Sequence, residues 1–86
     1  MIGISTKLFE LIGSYFVHVR ASYKRNGVWY VTINIYANDL NQLTKKLNYV
    51  IEKLWTLNLY LRRVTEPRRN GIGLLGVKVY FAGRVE

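Results

Sequence analysis

A change of hydrophobic period decides the fold, and it falls within residues 28–54, VWYVTINIYANDLNQLTKKLNYVIEKL. Over Val28–Ala37 every second residue is apolar, a period of two that predicts a β-strand. From Asp39 onward, leucine and valine recur at spacings of three and four, which predicts an amphipathic helix from Asp39 to near Tyr60, about 22 residues long. Asp39 is suited to cap this helix, because Gln42 follows it at capping-box spacing. The stretch therefore predicts a strand followed directly by a long helix.

The segment before this stretch predicts a second strand, because apolar residues alternate from Ser14 to Lys24. Arg25-Asn26-Gly27 connects the two strands. A two-residue Asn-Gly turn would pair Tyr23 with Tyr30 and mix the two faces, whereas a three-residue loop with a left-handed Gly27 keeps the apolar faces together. We therefore expect the three-residue loop. It pairs Tyr23 with Trp29, Ala21 with Val31, Val19 with Ile33 and Val17 with Ile35, and it places Tyr15 on the same apolar face.

The flanking segments complete the expected domain. Met1–Gly13 predicts a short helix or an ordered arm rather than a secretory signal, because Glu10 interrupts its apolar stretch. Pro67 and Asn70-Gly71 end the helical pattern, and a third strand is expected from about Ile72 to Arg84. We therefore expect one α+β domain over residues 1–86 with the order β-β-α-β. One long helix packs on one face of a mainly antiparallel or mixed sheet, in two layers.

The composition favours a polyanionic partner. The 86 residues carry thirteen Lys or Arg and five Asp or Glu, which gives a formal net charge of +8. Such an excess is typical of nucleic-acid-binding proteins. No apolar run approaches the roughly 20 residues that span a bilayer, so no membrane is expected as a partner. Because there is no cysteine, and because His18 has no carboxylate near it in the sequence, we expect neither an enzyme nor a bound metal or cofactor.

The sheet face opposite the helix is the first candidate binding surface. Its aromatic residues can stack on unpaired bases while its cations neutralise phosphates, as in other sheet-based RNA-binding proteins. Ordinary half-buried packing, or contact with another protein, is the alternative. The expected members of this face are Phe16, His18, Arg20, Ser22, Lys24, Tyr30, Thr32, Asn34, Tyr36, Lys78, Tyr80 and Arg84.

The second candidate is a cluster of four arginines within eight residues, Arg62-Arg63 and Arg68-Arg69. The fork of donors on a guanidinium suits phosphate oxygens. For the first pair, complementing the negative end of the helix dipole is the alternative. The complete predicted RNA-binding set is Arg62, Arg63, Arg68, Arg69, Lys78, Arg84, Arg20, Lys24 and Arg25, with Tyr30, Tyr36 and Tyr80 as stacking residues.

The last predicted strand resembles a known family. Gly76-Val77-Lys78-Val79-Tyr80-Phe81-Ala82-Gly83-Arg84 is similar to the Gly-(Ile/Val)-Lys-Val-x-x-Ser-Gly-Arg strand in the C-terminal domain of small-subunit ribosomal protein three. Upstream, Val31–Val85 resembles that family's succession of a strand, a helix and a Phe-Arg-Arg segment, for which Leu61-Arg62-Arg63 is the match. The chain departs from the family's pattern at Glu66, which stands near the family's lysine, and at Pro67, which interrupts its helix. Ala82 replaces the family's serine.

The resemblance implies a reduced or split form of that protein, of the kind found in organellar ribosomes. It implies a structural constituent of the small subunit that binds rRNA in the subunit head, near the side where mRNA enters. The partners it implies are small-subunit rRNA, neighbouring proteins of the head and mRNA, and the location is the mitochondrial ribosome or otherwise the cytoplasm. Arg62 and Arg63 match the family's arginines near the mRNA channel. The alternative is a free-standing, small basic nucleic-acid-binding regulator of archaeal or viral type that dimerises through its sheet.

Overall fold

A computed structural model describes residues 4–13 and 16–85 of the chain. Ser14 and Tyr15, with which the first strand was expected to begin, lie outside the described residues, as do Met1 and the two residues after it. Within the described part the elements are α1 (Ile4–Ile12), β1 (Val17–Arg25), β2 (Val28–Ala37), α2 (Leu40–Trp55), β3 (Leu59–Val64), β4 (Arg68–Arg69) and β5 (Leu75–Gly83).

The strands form one antiparallel sheet in the order β1-β2-β5-β3. The short β4 also pairs with β5. Since β2 pairs along the whole of β5, β4 must continue β3 along the other edge of β5. α2 packs on β2, β3 and β5, while α1 packs on β1 and α2. The predicted α+β class, with a helix on one face of the sheet, is confirmed. α1 is the first of the two alternatives expected for the N-terminal segment.

The core lies between the helices and one face of the sheet. β2 and β5 supply its centre because their alternate residues turn towards the helices. α1 contributes residues spaced by four, which share one side of a helix. The fully or almost fully buried side chains include Val31, Ile33, Ile35 and Ala37 from β2, Val77, Val79 and Phe81 from β5, Val17 from β1, Leu59 from β3, Leu43, Val50 and Leu54 from α2, and Ile4, Leu8 and Ile12 from α1.

α2 begins where the sequence predicts and ends earlier. The Asp39 carboxylate accepts a hydrogen bond of 2.8 Å from the backbone N–H of Gln42, so the predicted cap is confirmed. The helix stops at Trp55, and Asn58 then adopts a left-handed conformation with φ 60°. The prediction of a helix continuing to near Tyr60 is wrong, because the chain turns at Asn58 into β3. The order β-β-α-β consequently gains two strands, and Arg62 and Arg63 lie in a strand instead of at a helix end.

The hairpin between β1 and β2 also differs from the expectation. Asn26 and Gly27 both have positive φ, 52° and 79°, as in a two-residue type I′ turn. Tyr23 therefore pairs with Tyr30, and the predicted three-residue loop is wrong. A β-bulge at Arg20 absorbs one residue and restores the predicted pairing of β1 with β2 further along, Val19 with Ile33 and Val17 with Ile35.

The turn and the bulge together move four side chains to the opposite faces of the sheet from those expected. Residues paired directly across two strands share a face. Ser22 lies opposite Val31 and Lys24 opposite Trp29, so both turn towards the helix layer. Ala21 lies opposite Thr32 and Tyr23 opposite Tyr30, so both join the face that the helices leave uncovered.

Candidate nucleic-acid interface

The sheet face away from the helices is called the open face here. Its members follow from the strand register, since residues paired across strands share a face, and from the lining of the depressions on it. They are His18, Arg20, Ala21, Tyr23 and Arg25 from β1, Tyr30, Thr32, Asn34 and Tyr36 from β2, Gly76, Lys78, Tyr80 and Ala82 from β5, and Tyr60, Arg62, Arg63 and Arg68 from β3 and β4.

Positive charge is concentrated in the strands. The five strands contain eight of the thirteen basic residues and none of the five acidic ones. The acidic residues in the described part of the chain lie in α1, at the start of α2, within α2 and in the turn before β4. Because seven of the eight strand cations lie on or beside the open face, this face carries most of the chain's excess charge. The eight are Arg20, Lys24, Arg25, Arg62, Arg63, Arg68, Arg69 and Lys78.

One half of the open face is aromatic. The rings of Tyr23 and Tyr30 stack with their centroids 5.1 Å apart and their planes 17° from parallel. The guanidinium carbon of Arg63 lies 5.4 Å from the centroid of the Tyr80 ring, within cation–π distance. Between these two pairs lies a depression of about 490 Å³, and Arg62 also lines it. This half therefore combines flat aromatic surfaces with cations around a shared hollow.

The other half is basic. Arg20 at the bulge, Lys78 of β5, and Arg68 and Arg69 of β4 line a second depression of about 300 Å³. The Arg69 Nη1 donates a 2.8 Å hydrogen bond to the carbonyl of Gly73, which ties this guanidinium to the loop between β4 and β5. A guanidinium has five N–H donors, so this bond uses only one of them.

The loop that holds Arg69 is itself ordered by a side chain. Asn70 Oδ1 accepts hydrogen bonds from the backbone N–H groups of Ile72, at 3.1 Å, and Leu74, at 2.9 Å. Gly73 adopts φ 85°, which suits glycine, and its N–H donates to the Asn70 carbonyl. Asn70-Gly71, expected from the sequence to end the helical pattern, thus closes a compact hairpin loop between β4 and β5 and fixes the direction of β4.

Tyr36 belongs to the basic half and lines its depression. A Cβ atom at Gly76, its partner across the strands, would come within 2.8 Å of the Tyr36 ring, so the ring lies directly over this glycine. The His18 ring is 6.0 Å from that of Tyr36 and tilted by 58°. In the described part of the chain, no three His, Asp or Glu side chains come together where they could hold a metal ion. Neither described helix is long and apolar enough to cross a membrane.

The structure brings most of the predicted site residues together. Nine of them lie on the open face or line its depressions, and Arg25 lies at its hairpin end. Arg84 follows β5, with its Nη1 3.3 Å from the position that a Cβ at Gly27 would take, so it lies beside the same hairpin. Lys24 lies on the helix side of the sheet. The nine are Arg20, Arg62, Arg63, Arg68, Arg69, Lys78, Tyr30, Tyr36 and Tyr80.

Two tyrosines of the open face were missed by the sequence analysis. Tyr23 was placed on the apolar face, although the Asn-Gly dipeptide that moves it to the open face is visible in the sequence. Tyr60 was placed in the helix, but it lies opposite Ala82 in the sheet, and its ring meets that of Trp55 edge-on at 5.2 Å. The alternation of Leu59 and Leu61 is a local signal for this strand, but the same segment also continues the helical spacing of α2, and pairing with β5 decides between them.

No protein-family model matches this sequence, and no curated protein is similar enough to it to count as a relative. The candidate interface therefore stands on its geometry and on the resemblance of Gly76–Arg84 given above.

Proposed function

We propose that this chain is an RNA-binding protein and a structural constituent of the small ribosomal subunit, in which the open face binds rRNA. The observation that carries the proposal is the open face itself, where cations and tyrosines occur together and the strands contribute no carboxylate. Guanidinium groups bind phosphate oxygens through paired hydrogen bonds, and tyrosine rings stack on bases. Both contacts suit RNA with exposed bases.

The ribosomal setting is supported by the resemblance of β5 and the residue after it to the strand of small-subunit ribosomal protein three. On that basis we propose binding in the subunit head near the side where mRNA enters, beside neighbouring head proteins and in contact with mRNA, in a mitochondrial ribosome. Arg62 and Arg63, which the resemblance matches to the arginines near the mRNA channel, lie at the rim of the tyrosine-lined depression. The same two side chains would therefore serve both the rRNA contact proposed for the open face and the mRNA contact that the resemblance implies.

The test compares two variants with equal loss of charge. One replaces the four arginines of β3 and β4 by alanine, and the control replaces the four lysines of the helices by alanine. The readouts are affinity for a small-subunit rRNA fragment and co-sedimentation of the tagged protein with small subunits. The arginine variant is expected to lose most of both, while the control keeps most of both. The two sets are Arg62, Arg63, Arg68 and Arg69, and Lys7, Lys45, Lys46 and Lys53.

A third variant separates charge from geometry by replacing the same four arginines with lysine. Lysine keeps the charge but cannot make the paired hydrogen bonds, so affinity is expected to recover only in part. If the alanine variant of the four arginines and the alanine variant of the four helix lysines lost equal RNA affinity, net charge alone would determine binding. If the alanine variant of the four arginines kept its RNA affinity and its co-sedimentation with small subunits, the open face would not be the RNA-binding surface. A protein that binds RNA as a dimer and never travels with small subunits would favour the free-standing regulator.

A further inference from the structure

The tyrosine-lined depression forms a slot between Tyr23 and Tyr30 on one side and Tyr80 on the other. Across β2 and β5, Thr32 lies directly opposite Tyr80, while Tyr30 lies opposite the small Ala82. Tyr30 and Tyr80 are therefore diagonal neighbours, and the side chains at the other two of these four positions, Thr32 and Ala82, are small. Aromatic rings can reach across such a diagonal. Tyr23 extends the wall formed by Tyr30, and the hollow is open to solvent on the side away from the sheet. Small residues between two aromatic walls leave room for one planar group.

The aromatic walls of the slot also favour unpaired over paired RNA. Tyr23 is 57% exposed, which leaves ring surface for a further partner. A base in a duplex is covered by its neighbours above and below, so it cannot enter a slot on a sheet without leaving the stack. An unpaired base can stack there at no such cost, and Arg63 adds a cation beside Tyr80. The slot therefore favours single-stranded over double-stranded RNA.

The basic half lies at a distance that a short strand can span. Tyr80 and Gly76 are four residues apart on β5, about 13 Å at 3.3 Å per residue. Arg68 pairs with Gly76, and Lys78 lies between the two positions on the same face. At a nucleic-acid rise of about 3.4 Å per stacked nucleotide, 13 Å corresponds to about four nucleotides. The phosphates within about four nucleotides of a base in the slot would thus meet the cations of β4 and β5.

We infer that the open face is a binding site for unpaired RNA, with one nucleobase held in the slot between the Tyr23–Tyr30 stack and Tyr80, and with phosphates further along the same strand bound by Lys78 and Arg68. The inference rests on the proposed function. It adds the class of RNA and the position of a base.

The experiment measures the affinity of the full chain for three fluorescein-labelled probes by fluorescence polarisation. The probes are an eight-nucleotide oligouridylate, an abasic ribose-phosphate strand of the same length, and a blunt-ended, fully paired RNA duplex. The wild type is expected to bind the oligouridylate more tightly than the other two. Tyr23→Ala should weaken oligouridylate binding about 5- to 150-fold, because stacking on one base is worth about 1–3 kcal/mol. It should leave duplex binding unchanged.

Matched variants keep the result interpretable. Tyr23 is more than half exposed, so its replacement leaves the core intact, and Tyr23→Phe should keep oligouridylate affinity because it keeps the ring. Tyr49→Ala on α2 removes an exposed tyrosine outside the open face and should change nothing. Equal affinity for the oligouridylate and the abasic strand, or an unaffected Tyr23→Ala, would overturn the slot while leaving RNA binding intact. Failure to bind any of the three probes would overturn the proposed function itself.

Discussion

Gly83→Ala is expected to destabilise the fold strongly, because β5 passes directly over the turn that follows α2. A Cβ atom at Gly83 would lie 1.7 Å from the carbonyl oxygen of Asn58 and 2.8 Å from its carbonyl carbon. It would also lie 3.1 Å from the Cα atom of Leu59. All three are backbone atoms, so no flexible side chain can swing aside. The methyl group fits only if β3 and β5 separate at the Leu59–Gly83 pair.

The size of the effect follows from what has to move. Adding one methyl group to a packed site typically costs about 1–3 kcal/mol when neighbouring side chains can adjust. Here the backbone itself must shift, so we expect a loss of about 3 kcal/mol or more. For a domain of 60 to 100 residues, each kcal/mol lowers the melting temperature by about 4–8 °C, so the expected drop is about 12–24 °C. That is a large share of a total stability of about 5–15 kcal/mol.

The assay is urea unfolding followed by far-UV circular dichroism, with Gly71→Ala as the matched control. No atom lies within 4 Å of the position that a Cβ would take at Gly71. Replacing glycine at such a site should leave the free energy of unfolding unchanged or raise it by up to about 1 kcal/mol. If Gly83→Ala unfolded at the same urea concentration as the control, β5 would not lie against Asn58. The pairing of β3 with β5 at Leu59, and with it the end of α2 at Trp55, would then be contradicted.

Three further predictions concern the core, the helix cap and the charge. Leu54→Ala should lower the free energy of unfolding by about 2–5 kcal/mol, because its side chain is fully buried, whereas Leu40→Ala, at 60% exposed, should change it by no more than about 0.5 kcal/mol in urea titrations. Asp39→Ala should cost about 1 kcal/mol in thermal melts through loss of the cap, and Asp39→Asn should retain most of it. The logarithm of the RNA-binding constant should fall linearly with the logarithm of salt concentration, by roughly one unit of slope for each phosphate contact. A slope near zero in filter-binding titrations would contradict phosphate binding.

Elements governed by local pattern were predictable from the sequence. The alternation in Val28–Ala37 and in the residues from Leu75 to Phe81 reports directly which side chains face the helices, and both strands form with the expected faces. The cap at Asp39 depends on residues three apart in the chain, and it also forms as expected. In each case the information lies within a few neighbouring residues, because side-chain direction in a strand or a first helical turn is set locally.

β3 was not predictable in the same way, because two patterns overlap in its sequence. Leu57 and Leu61 continue the helical spacing of α2, and Leu59 and Leu61 also fit the alternation of a strand. The structure takes the second pattern: Leu59 is fully buried, and Leu61 pairs with Phe81, twenty positions further along the chain. What ends the helix is the gain from pairing along the free edge of β5, a long-range contact that a local window does not contain. The location of Arg62 and Arg63 in the sheet follows from that same contact.

The hairpin shows how a conflict between two local rules produced the candidate base site. The faces of the strands favour a three-residue loop, while Asn26-Gly27 favours a two-residue turn, because both positions need positive φ. The turn prevails next to the hairpin end, and the bulge at Arg20 restores the apolar register only beyond it. A bulge between Tyr23 and the turn, at Lys24, would pair Tyr23 with Trp29 and send it back towards the helices. The stack of Tyr23 on Tyr30, and with it one wall of the slot, therefore exists because the bulge at Arg20 lies beyond Tyr23, and not between Tyr23 and the turn.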